Sequence, residues 1–377
     1  MAHTYQLLVD GAPVAADLYA AITALDVEEN ADLPGAIQLT VPVASDGNND
    51  LTWVNDRTFG PLANLAVVVT AEGGTPECIF DGHVLSHKLH HDRGTAASTL
   101  QVWGQDASWR MNLEDKVVEW SNVTDGDVAK AIFGNYGITP SPENTQDDSP
   151  THTESGHTLM QRASDIQFLR RLARRNGKLC RVAGGAAAGQ LTGYFARPRL
   201  DQPPALTLTL NDPDKVMVNA LDFEWDVTRP TEVVAHQGLF TEPGNGISVD
   251  ATDAGLPLLA ARGLAEFTGR SMTALLTTAV DNAGELQMRA TSLLREGSFF
   301  ARCTGEVDLA ALGAVLRVGT VVAIAGAGSV HSGNYYVWSV RHAIAPDAHK
   351  MTFTLVRNAV GPVPSPAGGP LAGLGGL

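Results

Sequence analysis

Ile37-Gln38-Leu39-Thr40-Val41-Pro42-Val43 sets an aliphatic side chain at every second position, with Gln38, Thr40 and Pro42 between them. Successive side chains of an extended chain point to opposite faces, so the stretch reads as a half-buried strand. Working outward, residues 5–9 lead into Asp10-Gly11, a hairpin-type turn, and 65–70, 78–89 and 98–103 supply further strands between Gly-rich breaks. Four or more short strands at this spacing predict an antiparallel barrel or sandwich.

After about Trp109 the period changes. Residues 124–133 read as a short helix ended by Gly134, and 141–155 as a polar loop. The spacing predicts a longer helix over 159–176, capped by Thr158 with Gln161 as capping-box partner, with Leu159, Ala163, Ile166, Leu169 and Ala173 in one stripe. Asn176-Gly177 ends it, and Arg171, Arg174 and Arg175 near that end suit the helix dipole. Alternation returns at Leu206, Leu208 and Leu210, and at Leu221, Phe223, Trp225 and Val227 with Asp222, Glu224 and Asp226 outward. Residues 255–268 and 282–295 read as helical, and strands resume near Phe299, over 321–324, 335–344 and 351–356. The Pro/Gly-rich stretch after 360 builds no regular element. The expected fold is α+β, mainly β: two antiparallel barrels of similar size joined by an α/β segment, with no residue-level repeat strong enough to prove duplication.

The chain has 377 residues, enough for two or three domains, and its N-terminus carries neither a signal peptide pattern nor any uninterrupted apolar run of spanning length. A formal charge of −15 opposes phosphate binding, so direct nucleic-acid recognition is not expected, although a local basic patch is compatible with it. Cys78, Cys180 and Cys303 lie far apart in unrelated contexts and read as buried thiols, neither disulfides nor ligands.

His83, His87 and His91 share one face of an extended strand, but positions four apart are roughly 13 Å apart, far beyond what one metal bridges. They read as a solvated strand face. The carboxylate pairs Glu28-Glu29 and Asp147-Asp148 sit in polar segments and read as solvated, without the burial that acid–base chemistry needs. No Gly-x-Ser-x-Gly elbow, His-Glu-x-x-His helix or phosphate-cradling Gly-Lys-Ser/Thr loop occurs, so no catalytic, metal or cofactor residue is assigned and no enzyme is expected. Arg170, Arg171, Arg174 and Arg175 read either as a solvated face with intrachain ion pairs or as a contact to acidic surfaces.

The segment Ser164-Asp165-Ile166-Gln167-Phe168-Leu169-Arg170-Arg171-Leu172-Ala173-Arg174-Arg175-Asn176-Gly177 resembles the central signature of the late control protein D family, contractile-tail hub proteins similar to the N-terminal part of VgrG spikes. Phe80-Asp81-Gly82, residues 285–296, and the run from Leu316-Arg317-Val318-Gly319 through Gly333, Tyr335 and Val337 to His342 agree in the same order. Asp165, Phe168, Leu169, Arg171, Leu172 and Gly177 carry the match on the helix.

The resemblance implies tube-type barrels at 1–108 and at 201–235 plus 298–358, an α/β domain at 109–200, a helical insertion at 236–297 and a tail at 359–377. It implies a structural baseplate hub, a homotrimer adapting a sixfold inner tube to a threefold spike, within an assembled particle made in the bacterial cytoplasm. Implied partners are an inner tube or tube-initiator protein, wedge or LysM-type adaptor proteins and a separate trimeric spike, since VgrG proteins continue into a needle. Tail residues Pro362, Pro364, Pro366, Leu371 and Leu374 are candidates for reaching that spike. The alternatives are a tail-tip adhesion or envelope-degrading component, and a soluble β-rich binding protein.

Overall fold

Asp10 and Gly11 both adopt positive φ, 48° and 79°, which gives the two-residue turn that folds β1 (Thr4–Val9) back onto β2 (Ala12–Pro13). The computed structural model describes residues 4–45, 50–55, 58–93, 97–145, 149–154, 158–210, 218, 220–238, 246–280 and 283–362. The first half continues with α1 (Ala16–Ala21), β3 (Ala24–Asn30), β4 (Ala36–Pro42), β5 (Asn64–Thr70), β6 (Glu77–His90) and β7 (Thr99–Asp106). In β4 the alternation works as the pattern dictates: Ile37, Leu39 and Val41 are buried while Gln38 and Thr40 are partly exposed.

A middle segment follows: β8 (Lys116–Trp120), α2 (Asp125–Asn135), β9 (Thr139–Pro140), β10 (Leu159–Ala163), α3 (Asp165–Arg175), β11 (Leu179–Gly184) and β12 (Leu191–Ala196). It has its own core, in which Phe133, Ile166, Leu169 and Phe195 meet. Helix α2 extends through Gly134 to Asn135 and starts at a complete capping box between Thr124 and Asp127. The expected start of the signature helix is corrected. Leu159–Ala163 is a strand paired with β8, burying Leu159, Gln161 and Ala163, and α3 begins only at Asp165. Thr158 therefore caps nothing. Apolar residues at 159 and 163 fit both period two and period four, and the partner strand, paired at separations of 39 (Leu159 with Trp120) to 47 residues (Ala163 with Lys116), decides between them.

The second half comprises β13 (Thr207–Thr209), β14 (Leu221–Trp225), then β15 (Glu232–Gly238), β16 (Gly246–Ala251), α4 (Leu264–Thr268), β17 (Thr273–Leu276) and α5 (Ala283–Gly297), then β18 (Ala301–Asp308), β19 (Val321–Ala325), β20 (Gly333–Ala345) and β21 (Ala348–Arg357). The insertion is helical where 282–295 predicts it, at α5, but only at Leu264–Thr268 within 255–268, and it carries strands that were not expected. They form a three-stranded sheet, β16-β15-β17, on which α5 packs Leu286, Ala290 and Leu294 against Val233, Ala235 and Ala251. Within 255–268 Pro257 and the positive-φ Gly255 keep the chain irregular until Leu264.

The protein is α+β and mainly β, with antiparallel pairing dominant. The two β halves are not separate closed barrels. They join in one 13-stranded sheet of open order, because the long β20 pairs β19 through Gly333–Tyr336 and then β3 through Ser339–Ile344. One hydrophobic cluster accordingly holds Leu7, Leu39 and Val67 together with Leu208, Val322 and Phe353. The halves repeat the same strand order, β3-β4-β7-β6-β5 and β14-β18-β21-β20-β19, a duplication that residue patterns alone did not reveal. Among the described residues no helix is long and apolar enough to cross a membrane.

Candidate functional site

Three arginines carried by the family-like stretches, or standing beside them, tie the halves, the middle segment and the insertion together. Arg317, just ahead of β19, is the central one. Its Nε and Nη2 donate to the Glu29 carboxylate of β3 at 2.9–3.1 Å, and Nη1 donates to Glu77 Oε2 of β6 at 3.0 Å. Nη2 also donates to the carbonyls of Cys78 at 3.1 Å and Gly184, at the end of β11, at 3.3 Å. A planar guanidinium with five donors suits such convergence, which a lysine ammonium would not match. Burial pushes the Glu29 carboxyl up, but the Arg317 charge and His342 outweigh it and hold the group below its ordinary value. His342 Nε2 lies 3.5 Å from Glu29, and its Nδ1 shares a 3.0 Å hydrogen bond with His349 Nε2. The expectation that Glu28-Glu29 is a solvated pair is thus corrected at Glu29. Leu25, Val27 and Glu29 share one strand face, and that face is the core.

The signature helix is anchored at both ends. Asp165, at its start, accepts from Lys116 Nζ at 2.6 Å, Tyr136 Oη at 2.7 Å and Gln161 Nε2 at 2.6 Å. Burial pushes this carboxyl up and these donors bring it below the ordinary range. Gln161, expected to cap the helix, bridges instead between Asp165 and the Trp120 indole. Phe168, Leu169 and Leu172 are buried, whereas Arg171 is exposed. At the far end Arg175 and Asn176 donate to Asp125, which also contacts His152 Nε2 at 2.8 Å. Burial pushes Asp125 up, and the bonds from His152 and Arg175 bring it below its ordinary value. Gly177 has φ 59°, and a Cβ there would stand 3.0 Å from Ser292 Cα and from Arg295 Nη1. Arg295, buried at 3% exposure, donates to the carbonyls of Asn176 at 2.7 Å and Ala254 at 2.8 Å. Arg174 pairs with Asp32 at 3.3 Å, so among the described residues Arg174 and Arg175 of the four helix arginines make intrachain ion pairs.

The remaining candidate positions sit at close backbone approaches. Asp81 accepts from Asn64 Nδ2 at 3.0 Å and from the Gly189 amide at 2.7 Å, fastening the β11–β12 loop to β6. Phe80 is buried beside it, and a Cβ on Gly82 would overlap the Gln105 carbonyl. Gly319, at φ 89°, leaves room for the Arg181 guanidinium, and its amide donates to Val337 at 3.1 Å. Gly333 opens β20 at φ 124°, and the buried Tyr335 donates to the His331 carbonyl at 2.8 Å while its ring faces the Arg357 guanidinium at 4.8 Å. Arg357, the third arginine, donates to the carbonyls of Val330, His331, Ser332, Ala359 and Gly361, clasping the chain where it leaves the sheet. Pro362 follows, its carbonyl accepting from the Ala261 amide at 2.9 Å. Pro364, Pro366, Leu371 and Leu374 lie outside the described residues, as do Asp147 and Asp148.

Sequence reasoning placed Arg317 and Arg295 inside stretches it flagged but gave them no role. It misread Glu29 as solvated and passed over Asp125, Lys116 and Tyr136, whose partners, like that of Glu29, are 20 to 288 residues away. Burial raises the thiols of Cys78, Cys180 and Cys303 to about 12, so they stay protonated at neutral pH. Among the described residues no three His, Cys, Asp or Glu side chains are grouped to hold a metal. A 490 Å³ cleft beside Gly177 is lined by Trp225, Phe299, Trp338, Arg174 and Arg302. The arrangement as a whole fixes segments to one another rather than poising a reactive atom.

The fold is shared with solved tail proteins. A 43 kDa tail protein of prophage MuSo2 from Shewanella oneidensis matches with a TM-score of 0.67 at 15% identity, over 95% of this chain and 100% of that one. A tail protein from Neisseria meningitidis MC58 matches with 0.63 at 14% identity, over 95% and 97%. The E. coli c3393 protein, a component of the type VI secretion system with structural similarity to the T4 tail proteins gp27 and gp5, matches with 0.54 at 13% identity, over 97% and 80%. No curated protein matches the sequence. The family model described as the Alg8 N-terminal domain matches residues 1–346, and the chain belongs to that family.

Proposed function

We propose that this chain is the baseplate hub of a contractile injection system or phage tail, a homotrimer that adapts a sixfold inner tube to a threefold central spike. The observation that carries the reading is fold likeness over whole chains, 95% of this one and all of a prophage tail protein. The duplicated strand order supports it, since three copies of a chain with two like halves present six like halves to a sixfold tube. The likeness of 164–177 to the late control protein D signature supports it as well. The role is structural, within an assembled particle, and buried arginine ties suit a part that must keep its shape under load. Its partners are the inner tube or a tube initiator, wedge or LysM-type adaptors and a separate trimeric spike, which the segment around Pro362, Pro364, Pro366, Leu371 and Leu374 contacts.

Light scattering on the purified chain, alone and mixed with tube and spike proteins encoded beside it, tests this. The expected result is a mass near three times 39.7 kDa and capture of a trimeric spike, with capture lost on deleting residues 363–377. A monomer indifferent to tube and spike overturns the hub reading, and full capture by the shortened chain overturns the role of the tail.

A further inference from the structure

The seam inside one chain supplies a template for the seam between chains. Where the halves meet, Ser339–Ile344 of β20 pairs antiparallel with Leu25–Asn30 of β3, setting Arg341 opposite Glu28 and Ala343 opposite Asp26. Arg341 Nη2 lies 3.0 Å from Asp26 Oδ1 across it. By strand order β6 is the counterpart of β20, and β14 the counterpart of β3. The residues agree with the order. Val84-Leu85-Ser86-His87-Lys88 matches Val337-Trp338-Ser339-Val340-Arg341, and both strands carry a register shift at the same place, between Val84 and Ser86 and between Val337 and Ser339. Leu221-Asp222-Phe223-Glu224 matches Leu25-Asp26-Val27-Glu28.

Each of these counterparts has an unused edge. β6 pairs β5 only as far as His83, so Leu85–His90, mostly exposed, has β7 on one side and no strand on the other among the described residues. β14 pairs β18 alone among the described residues. Open edges of this kind are templates for pairing with another chain. Their charges are complementary: Lys88 on one, Asp222 and Glu224 on the other, with His90 able to hydrogen-bond a carboxylate and Arg302 already 3.5 Å from Glu224. Among the described residues the two edges are not paired with each other in this chain, and two different edges suit a head-to-tail contact that closes into a ring.

We infer that Leu85–His90 of one copy adds antiparallel to β14 of the next, with Lys88 opposite Glu224 and His90 opposite Asp222, repeating the β20–β3 seam. This deepens the hub reading and rests on its trimer. Three such seams and three internal ones then alternate around the ring.

Zero-length carbodiimide cross-linking of the full chain, read by mass spectrometry, tests the pairing directly. A Lys88–Glu224 or Lys88–Asp222 link is expected in the trimer band and not in the monomer band. Lys88→Glu, which faces like charges across the seam, should raise the concentration for half-assembly about 100-fold. Adding Glu224→Lys should restore it, with circular dichroism confirming that each variant is folded. A trimer that lacks the link and ignores Lys88→Glu overturns this seam while leaving the hub reading intact. A chain that stays monomeric even with tube and spike proteins present removes the trimer itself, and with it both readings.

Discussion

Replacing Arg317 with alanine strands Glu29 in the core beside His342, with the Cys78 and Gly184 carbonyls short of a donor. Removing one partner of a buried ion pair costs about 3–5 kcal/mol, so chemical unfolding of Arg317→Ala should show a loss of that size. Arg317→Lys should recover only part, because the ammonium lacks the planar fork. Glu29, Asp125 and Asp165 share a second consequence, since all three carboxyls are held below their ordinary values. Between the lowered native value and the ordinary one, near 4, the unfolded chain binds more protons than the native one. Their contribution is therefore complete above about pH 4 and lost as the pH falls through the native values. Unfolding free energy measured against pH should drop on that acid limb, and the combined Glu29→Gln, Asp125→Asn variant should be less stable at neutral pH and flatter below. Glu29 was legible in principle, as the third residue on the Leu25–Val27 face, but its adjacency to Glu28 suggested a solvated pair. Nothing local identifies Arg317 as its partner, because 288 residues separate them.

At the scale of elements, α2 starts where its sequence places it, directly after Thr124, and runs one residue past the expected stop at Gly134. Thr124 Oγ1 accepts from the Asp127 amide at 3.2 Å, and Asp127 Oδ2 accepts from the Thr124 amide at 3.3 Å. Thr124→Ala should cost about 1 kcal/mol, seen as a lower denaturant midpoint with an unchanged slope. Helix α3 was legible from its stripe and its Asn176-Gly177 stop, but not from its start. Ser164 stands at the N-cap with its hydroxyl turned to Asn112 Oδ1 at 2.6 Å, so no side-chain cap marks the boundary. In the insertion α5 was legible over 282–295, but the sheet beneath it was not. β15 and β16 are held together by pairing between strands, and α5 covers them with three apolar side chains, whereas helical composition is readable one turn at a time.

For the whole molecule, the β-rich class and two β units of similar size were legible in the alternation, while their union was not. The β20–β3 ladder depends on a strand long enough to serve two neighbours in succession, and length at residue 345 says nothing about an edge left open at residue 24. The duplication escaped notice because the stretches the halves share, such as Leu-Asp-x-Glu, are short, while core residues are free to vary at constant volume. A net charge of −15 likewise gave no place to Lys88, since a sum over the chain has no address.

The union of the halves through β20 and β3 has a mechanical meaning. Antiparallel hydrogen bonds lie perpendicular to their strands. A pull along the strand axes loads all six residue pairs of the seam at once, whereas a pull across them opens the ladder one pair at a time. With Arg317 riveting β3 to β6 behind the ladder, the weak peeling direction is blocked near the seam, and the two halves should yield to force as a single rigid plate.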